Sequence, residues 1–261
     1  MTRLLLALLL AAGTAGAQGT PLQPSPTWND LAYDILGDAA PIPADGALTL
    51  EAPIRAEDAA TVPIRLVQPP GSPWVQDITL VIDENPAPVA AEIVFGEAMR
   101  PLDFEMRVRV NQYSNVRALA MTAGGDLLMT GAFVKASGGC SAPASRPPGE
   151  AMAGAGEMRL REFGAAPDGR REAQVMIRHP QFSGLQRDQV TQLWIPAHFI
   201  DEMEVWQGDE RLFALSGGIS VSENPVFRFR YIDNGASGFR VKVHDTEGNT
   251  WEQTLPKEPA T

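Results

Sequence analysis

From Ala47 onward, apolar and polar residues alternate with a period of two in short runs. The first run is Ala47-Leu48-Thr49-Leu50-Glu51. Residues 61–67, 78–83, 90–95, 104–110, 116–121 and 127–134 continue the series, with Gly124-Gly125-Asp126 as the turn between the last two. Pro, Gly and Asp stand at the ends of the runs, as they do at the ends of β-strands. This pattern predicts an antiparallel sandwich of about 100 residues. Long helical periods are missing between the runs, which argues against the crossovers of a parallel sheet. A second series opens at Met158. It takes in residues 173–178, 192–196, 200–207, 210–214, 226–231, 238–244 and 250–255, with Asn234-Gly235 and Glu247-Gly248 as turn signals. A second sandwich of similar size is expected there. No repeat at residue level relates the two halves.

Two segments depart from this period. Residues 18–26 are a Pro-rich lead-in to a short helix, with Thr27 as the expected cap, Asp30 at capping-box distance and Gly37 as the stop. Trp28, Leu31, Ile35 and Leu36 would share one packing face. Residues 141–156, rich in Pro, Gly, Ala and Ser and without aromatic residues, read as a linker. The expected fold class is therefore all-β, with two immunoglobulin-like β-sandwich domains at residues 27–140 and 157–256 joined by a flexible linker at 141–156.

The N-terminus adds a compartment. Arg3 precedes an unbroken Leu/Ala run over residues 4–12, and Ala15-Gly16-Ala17 supplies small residues for a signal peptidase. Residues 1–17 are thus expected to be a signal peptide, cleaved before Gln18, and the mature protein to be periplasmic. The run is shorter than the roughly 20 apolar residues that span a bilayer, and no later segment is long and apolar enough, so membrane insertion is not expected. The formal net charge is −11, and loss of Arg3 makes the mature chain one unit more negative. Such a surface disfavours nucleic acid and anionic membranes as partners.

The 261 residues contain one cysteine, so an intramolecular disulfide is excluded. An odd thiol in an exported protein points to an intermolecular bond, a reactive thiol or an accident. Gly138-Gly139-Cys140 follows a strand and precedes the linker, which predicts an exposed thiol on a mobile segment, open to a Cys140-linked dimer. With no base fixed nearby by sequence, its pKa is expected near the ordinary ~8.5. That suits a passive carrier better than a nucleophile. His179, His198 and His244 could approach Cys140 in space, but no local Cys-His signature is present. Close ligand spacing for a metal is missing, as are Gly-rich phosphate loops, and no cofactor is expected. Residues 83–88, Asp-Glu-Asn-Pro-Ala-Pro, read as a rigid turn.

Three pieces of the first half resemble SoxY of the thiosulfate-oxidising system. They are residues 57–64, residues 83–88, and Val134-Lys135-Ala136-Ser137-Gly138-Gly139-Cys140. In the second half, Ile177-Arg178-His179-Pro180 with Ser183-Gly184, Gly217-Gly218-Ile219-Ser220 through Ser222-Glu223-Asn224-Pro225, and residues 239–248 resemble SoxZ. Together they resemble the fused SoxYZ-like carrier family associated with quinoprotein dehydrogenases. The resemblance implies a non-enzymatic carrier in which Cys140 holds a covalent intermediate and Gly138 and Gly139 form the pivot of a swinging arm. The implied partners are periplasmic redox enzymes, of the Sox type or a quinoprotein dehydrogenase. Two departures stand out. Ser141-Ala142-Pro143 replaces a terminal Gly-Gly, and a whole domain follows, so the thiol is tethered on both sides. The cargo is left open between a sulfur species and another thiol-reactive compound. The alternative is an interaction or maturation partner of a quinoprotein alcohol dehydrogenase that makes no use of the thiol.

Overall fold

The computed structural model describes residues 20–166 and 168–257. The expected signal peptide lies outside them. Helix α1 (Pro26–Leu36) is capped by Ser25, whose Oγ accepts from the Trp28 N–H at 3.0 Å. Thr27 is therefore not the cap. Pro26 lacks an N–H and has a preset φ, so it fits the first turn, and the cap falls one residue before it. Gly37, at φ 59°, ends the helix as expected, donating its N–H to the Tyr33 carbonyl. The helix rests on the sheet by a half-buried face, with Trp28 under the Arg117 guanidinium at 4.4 Å.

The first half supplies β1 (Ile42–Pro43), β2 (Thr49–Glu51), β3 (Val62–Val67), β4 (Val75–Ile82), β5 (Val89–Phe95), β6 (Asp103–Val108), β7 (Ser114–Thr122) and β8 (Leu127–Val134). The second supplies β9 (Met158–Ala165), β10 (Arg171–Ile177), β11 (Ile200–Gln207), β12 (Glu210–Gly217), β13 (Val226–Tyr231), β14 (Gly238–Asp245) and β15 (Thr250–Pro256). Of the anticipated strands, 192–196 does not form. That segment makes a single bridge, Arg187 to Trp194, and leaves Leu193 and Trp194 exposed, while Ile195 packs with Ala151 and Phe182 in a small cluster apart from the main core.

The two sandwiches are not separate bodies. One sheet runs β1-β8-β7-β4-β5-β12-β11-β14-β15 and the other β2-β3-β6-β13-β10-β9, so each sheet passes continuously from one half into the other. The joins are antiparallel, with Phe95 opposite Phe213 across β5 and β12, and Phe104 opposite Phe229 across β6 and β13. Both layers close over one hydrophobic core. At its centre the Phe104 ring meets Phe95 at 5.3 Å and Phe213 at 5.2 Å, both edge-on, the geometry that aromatic quadrupoles favour. On the outer face of the smaller sheet, Asp103 of the first half binds Arg65 at 2.9 Å and Arg230 of the second at 3.1 Å.

The expected flexible linker is packed. Pro148–Ala151 forms a short helix, α2, and Ala151 is buried with Phe182 and Ile195. Ser145 donates to the Glu223 carboxylate, and the Gly156 N–H reaches the Arg178 carbonyl at 2.9 Å. Among the described residues no helix is long and apolar enough to cross a membrane.

Candidate functional site

Beyond β8 the chain runs beside residues 54–56, pairing Lys135 with Ile54 and Ala56 through the backbone, and then tightens into a 3-10 turn, Gly139–Ser141. Gly138 enters the turn at φ 79°, a left-handed conformation that a side chain would resist. Its N–H donates to the Asn111 carbonyl at 2.7 Å, and the Gly139 N–H donates to Val110 at 3.1 Å. Gly139 has another reason to lack a side chain: a Cβ there would stand 2.1 Å from the Ala59 carbonyl oxygen. These two glycines dock the turn against the first half.

Cys140 is buried, contrary to the expected exposed thiol. The second half supplies the cover. Ser183 Oγ donates to the Cys140 carbonyl at 2.5 Å, and Gln186 Nε2 to the Ala142 carbonyl at 2.8 Å. Burial pushes the thiol up to about 11, and the positive charge of nearby Arg109 offsets only part of that. At neutral pH the sulfur is therefore a protonated, shielded thiol.

Arg109 lies beneath this turn and is itself buried. Its Nη1 donates to the Gly139 carbonyl and its Nη2 to the Gln181 carbonyl, each at 3.2 Å. Its backbone is tied across the halves, the N–H to Ser220 at 2.7 Å and the carbonyl accepting from Asn85 Nδ2 at 2.7 Å. Asn85 also binds Ser220 Oγ at 2.9 Å, and Ser222 Oγ donates to the Ala60 carbonyl at 2.7 Å. The rigid turn at 83–88 and the 217–225 segment thus join the halves around Cys140. Asp83 pairs in the interior with Arg117 at 2.8 Å.

The covering loop, residues 178–199, is held at both ends by one carboxylate. Asp245 Oδ2 lies 3.3 Å from His179 Nε2 and 2.6 Å from His198 Nε2. Asn249 adds donors from its side chain and backbone. Burial pushes Asp245 up, but these hydrogen bonds prevail and bring it down to about 2. Burial likewise holds His179 below the ordinary imidazole range. His179, His198 and Asp245 place three ligand-type atoms within 4.8 Å of one another. The tautomer decides against reading them as a metal centre. The Gln181 N–H donates to His179 Nδ1 at 3.1 Å, so the ring proton sits on Nε2, which then has no lone pair to offer a cation. The group is a hydrogen-bonded clamp. Both ring nitrogens of His179 are engaged in it, and His244 pairs instead with Asp201 at 2.7 Å.

Sequence reasoning singled out Cys140, Gly138 and Gly139, and the structure brings all three into one turn. It missed Arg109, Gln181, Ser183, Gln186 and Asp245. By strand alternation Arg109 belongs with Glu105 and Arg107 on the outward face. Only the end of β6 at Val108 turns it inward.

Fold and site together define a double β-sandwich that holds a single buried thiol at the seam between its halves. Residues 32–140 match the family model described as sulfur oxidation protein SoxY, and residues 158–256 match sulphur oxidation protein SoxZ. The chain belongs to these families of sulfur oxidation proteins as a SoxY–SoxZ fusion. Among solved structures it is similar to the sulfur carrier protein SoxY from Chlorobium limicola f thiosulfatophilum. That likeness has 23% identity, 42% of this chain and 91% of that chain covered, and a TM-score of 0.36. No curated protein matches the chain.

Proposed function

We propose that this protein is a periplasmic carrier that holds a covalent intermediate on Cys140, a sulfur species or another thiol-reactive compound, and presents it to a partner redox enzyme. The observation that supports this reading is the construction around the sulfur. The SoxY match ends at Cys140, the one cysteine of the chain, and a left-handed glycine, a closely packed glycine and a buried guanidinium converge on that turn. Shielding suits a carrier, because a loaded thiol must survive between the enzyme that charges it and the enzyme that discharges it. Delivery then requires the turn or the covering loop to open. Gly138 and Gly139 serve the docked state here, and a swing about Gly138 is part of the same proposal.

The expected result is a covalent mass addition on the tryptic peptide containing Cys140, in protein taken from native periplasm. Removal by a strong reductant would assign cargo bonded through sulfur. A consistently unmodified thiol, during growth on both alcohols and reduced sulfur compounds, would overturn the proposal. The burial of Cys140 favours one second reading, an interaction or maturation partner of a periplasmic quinoprotein dehydrogenase in which the cysteine only packs. In that case Cys140→Ser would leave growth on alcohols and on thiosulfate unchanged.

A further inference from the structure

The cation beneath Cys140 has no matching anion. Arg109 is 1% exposed, yet both of its hydrogen bonds go to neutral carbonyls, and its Nε has no partner. Among the described residues no carboxylate forms an ion pair with it. Glu223 and Asp58 act on its charge only from a longer range. A second buried donor without a partner is Nε2 of Gln181, the residue whose backbone carbonyl Arg109 binds. Gln181 is held there firmly. Its Oε1 accepts from the Ile200 N–H at 2.6 Å, and its backbone sits at φ 47°, which a side-chain-bearing residue adopts only when its surroundings impose it. Unsatisfied donors and an uncompensated charge are costly inside a protein, so two of them in residues joined by a hydrogen bond call for a ligand.

Cys140 cannot supply the missing charge as a free thiol, since it stays protonated at neutral pH. A group bonded to its sulfur that is permanently ionised would bring the negative charge without that protonation cost. We propose that Arg109 and Gln181 form a charge-selective rest for Cys140, which holds the turn closed more firmly when the sulfur carries an anionic adduct than when it carries a neutral one. The inference rests on the carrier reading and deepens it in two ways. It assigns Arg109 as the positioning residue for loaded Cys140. It also makes the second half part of the site, because Gln181 and the covering Ser183 come from there.

The test loads the purified full-length mature chain chemically, in urea, and then refolds it. With tetrathionate, the Cys140 sulfur forms a new S–S bond, thiosulfate leaves and a proton goes to buffer, giving an adduct ending in a sulfonate. With methyl methanethiosulfonate, the sulfur likewise forms a new S–S bond and methanesulfinate leaves, giving a neutral adduct ending in a methyl group. The rate at which dithiothreitol removes each adduct from folded protein is divided into its rate from urea-unfolded protein. Wild type should protect the anionic adduct at least tenfold more than the neutral one. Arg109→Gln should bring the two within about twofold, whereas Arg109→Lys keeps a preference. Should Arg109→Gln fail to fold, Gln181→Leu read in the same way must cut the preference at least threefold. Equal protection of both adducts in wild type, or an unchanged preference in the variants, would overturn the proposal. Because the adducts are installed in vitro, that failure leaves the carrier reading standing. An empty thiol in native periplasm would sink the carrier reading without altering this result.

Discussion

The two glycines before Cys140 do different work, and single substitutions separate them. Gly138 sits at a left-handed φ with open space around it, a Cβ meeting nothing nearer than Ser141 Oγ at 4.0 Å. Gly138→Ala should cost about 1 kcal/mol of backbone strain and leave the turn docked. Gly139→Ala would drive a methyl group into the Ala59 and Val110 carbonyls, so the turn must lift away from the first half. Wild-type Cys140 should react with a thiol reagent at least a hundredfold more slowly than a small free thiol, from burial and its low thiolate fraction together. Gly139→Ala should recover at least tenfold of that reactivity with little change in the main unfolding transition. Equal reactivity of the two proteins would mean that the turn is not the barrier. The importance of Cys140 and its glycines was legible in the sequence, because an unpaired thiol after Gly-Gly is unusual on its face. Its burial was not, since the covering residues Ser183 and Gln186 lie more than forty positions away.

At the scale of elements, the covering loop is governed by its clamp, and the clamp titrates. His179 is held neutral, so as pH falls below about 6.5 the unfolded chain takes up a proton that the folded chain refuses. Stability should therefore decline through that window. Asp245 adds a second decline. Its folded pKa of about 2 lies below the ordinary value of 3.8, so its contribution is full above 3.8 and is lost as pH falls toward 2. Urea midpoints at pH 7, 5 and 3 should fall in that order. Asp245→Asn should cost roughly 2–4 kcal/mol at pH 7, because it removes a charged acceptor of several hydrogen bonds, and should shrink the lower window. The same variant should speed modification of Cys140 by loosening its cover. A flat pH profile would mean that the clamp does not hold the fold. Strand periods located nearly every element. The expected strand that does not form, residues 192–196, is an apolar run Leu193-Trp194-Ile195 without alternation, and it turns Ile195 into a small cluster with Ala151 and Phe182 instead of pairing along a sheet.

At the scale of the molecule, the seam makes two sandwiches into one cooperative unit. Phe104 of the first half packs into Phe213 and Phe227 of the second, and Phe104→Ala should cost roughly 3–5 kcal/mol. The five tryptophans are shared between the halves, Trp28 and Trp74 in the first and Trp194, Trp206 and Trp251 in the second. Hydrogen exchange of both halves and total fluorescence should show one shared transition in wild type and in the variant. Two separated transitions would show that the halves are only neighbours. A chain nicked between residues 141 and 156 should accordingly remain a single species in native gel filtration, with its fragments held by β5–β12, β6–β13 and the Asp103–Arg230 pair.

The sequence by itself determined the all-β class, the approximate positions of most strands and the choice of Cys140 as the residue to examine. These follow from local rules: side-chain period two, turn-forming Gly and Pro, and the arithmetic of a single thiol. Only the tertiary structure decided that the sheets run through both halves, that residues 141–156 are tied to the second half, and that Arg109, beneath the turn of Cys140, is held by the Gln181 carbonyl of the other half. Each of those facts is a contact between residues far apart in the chain. Arg109 shows the reason most plainly. Its place in the strand pattern points outward, but the strand ends one residue earlier, and the geometry of that ending is set by Ser220 on the other half.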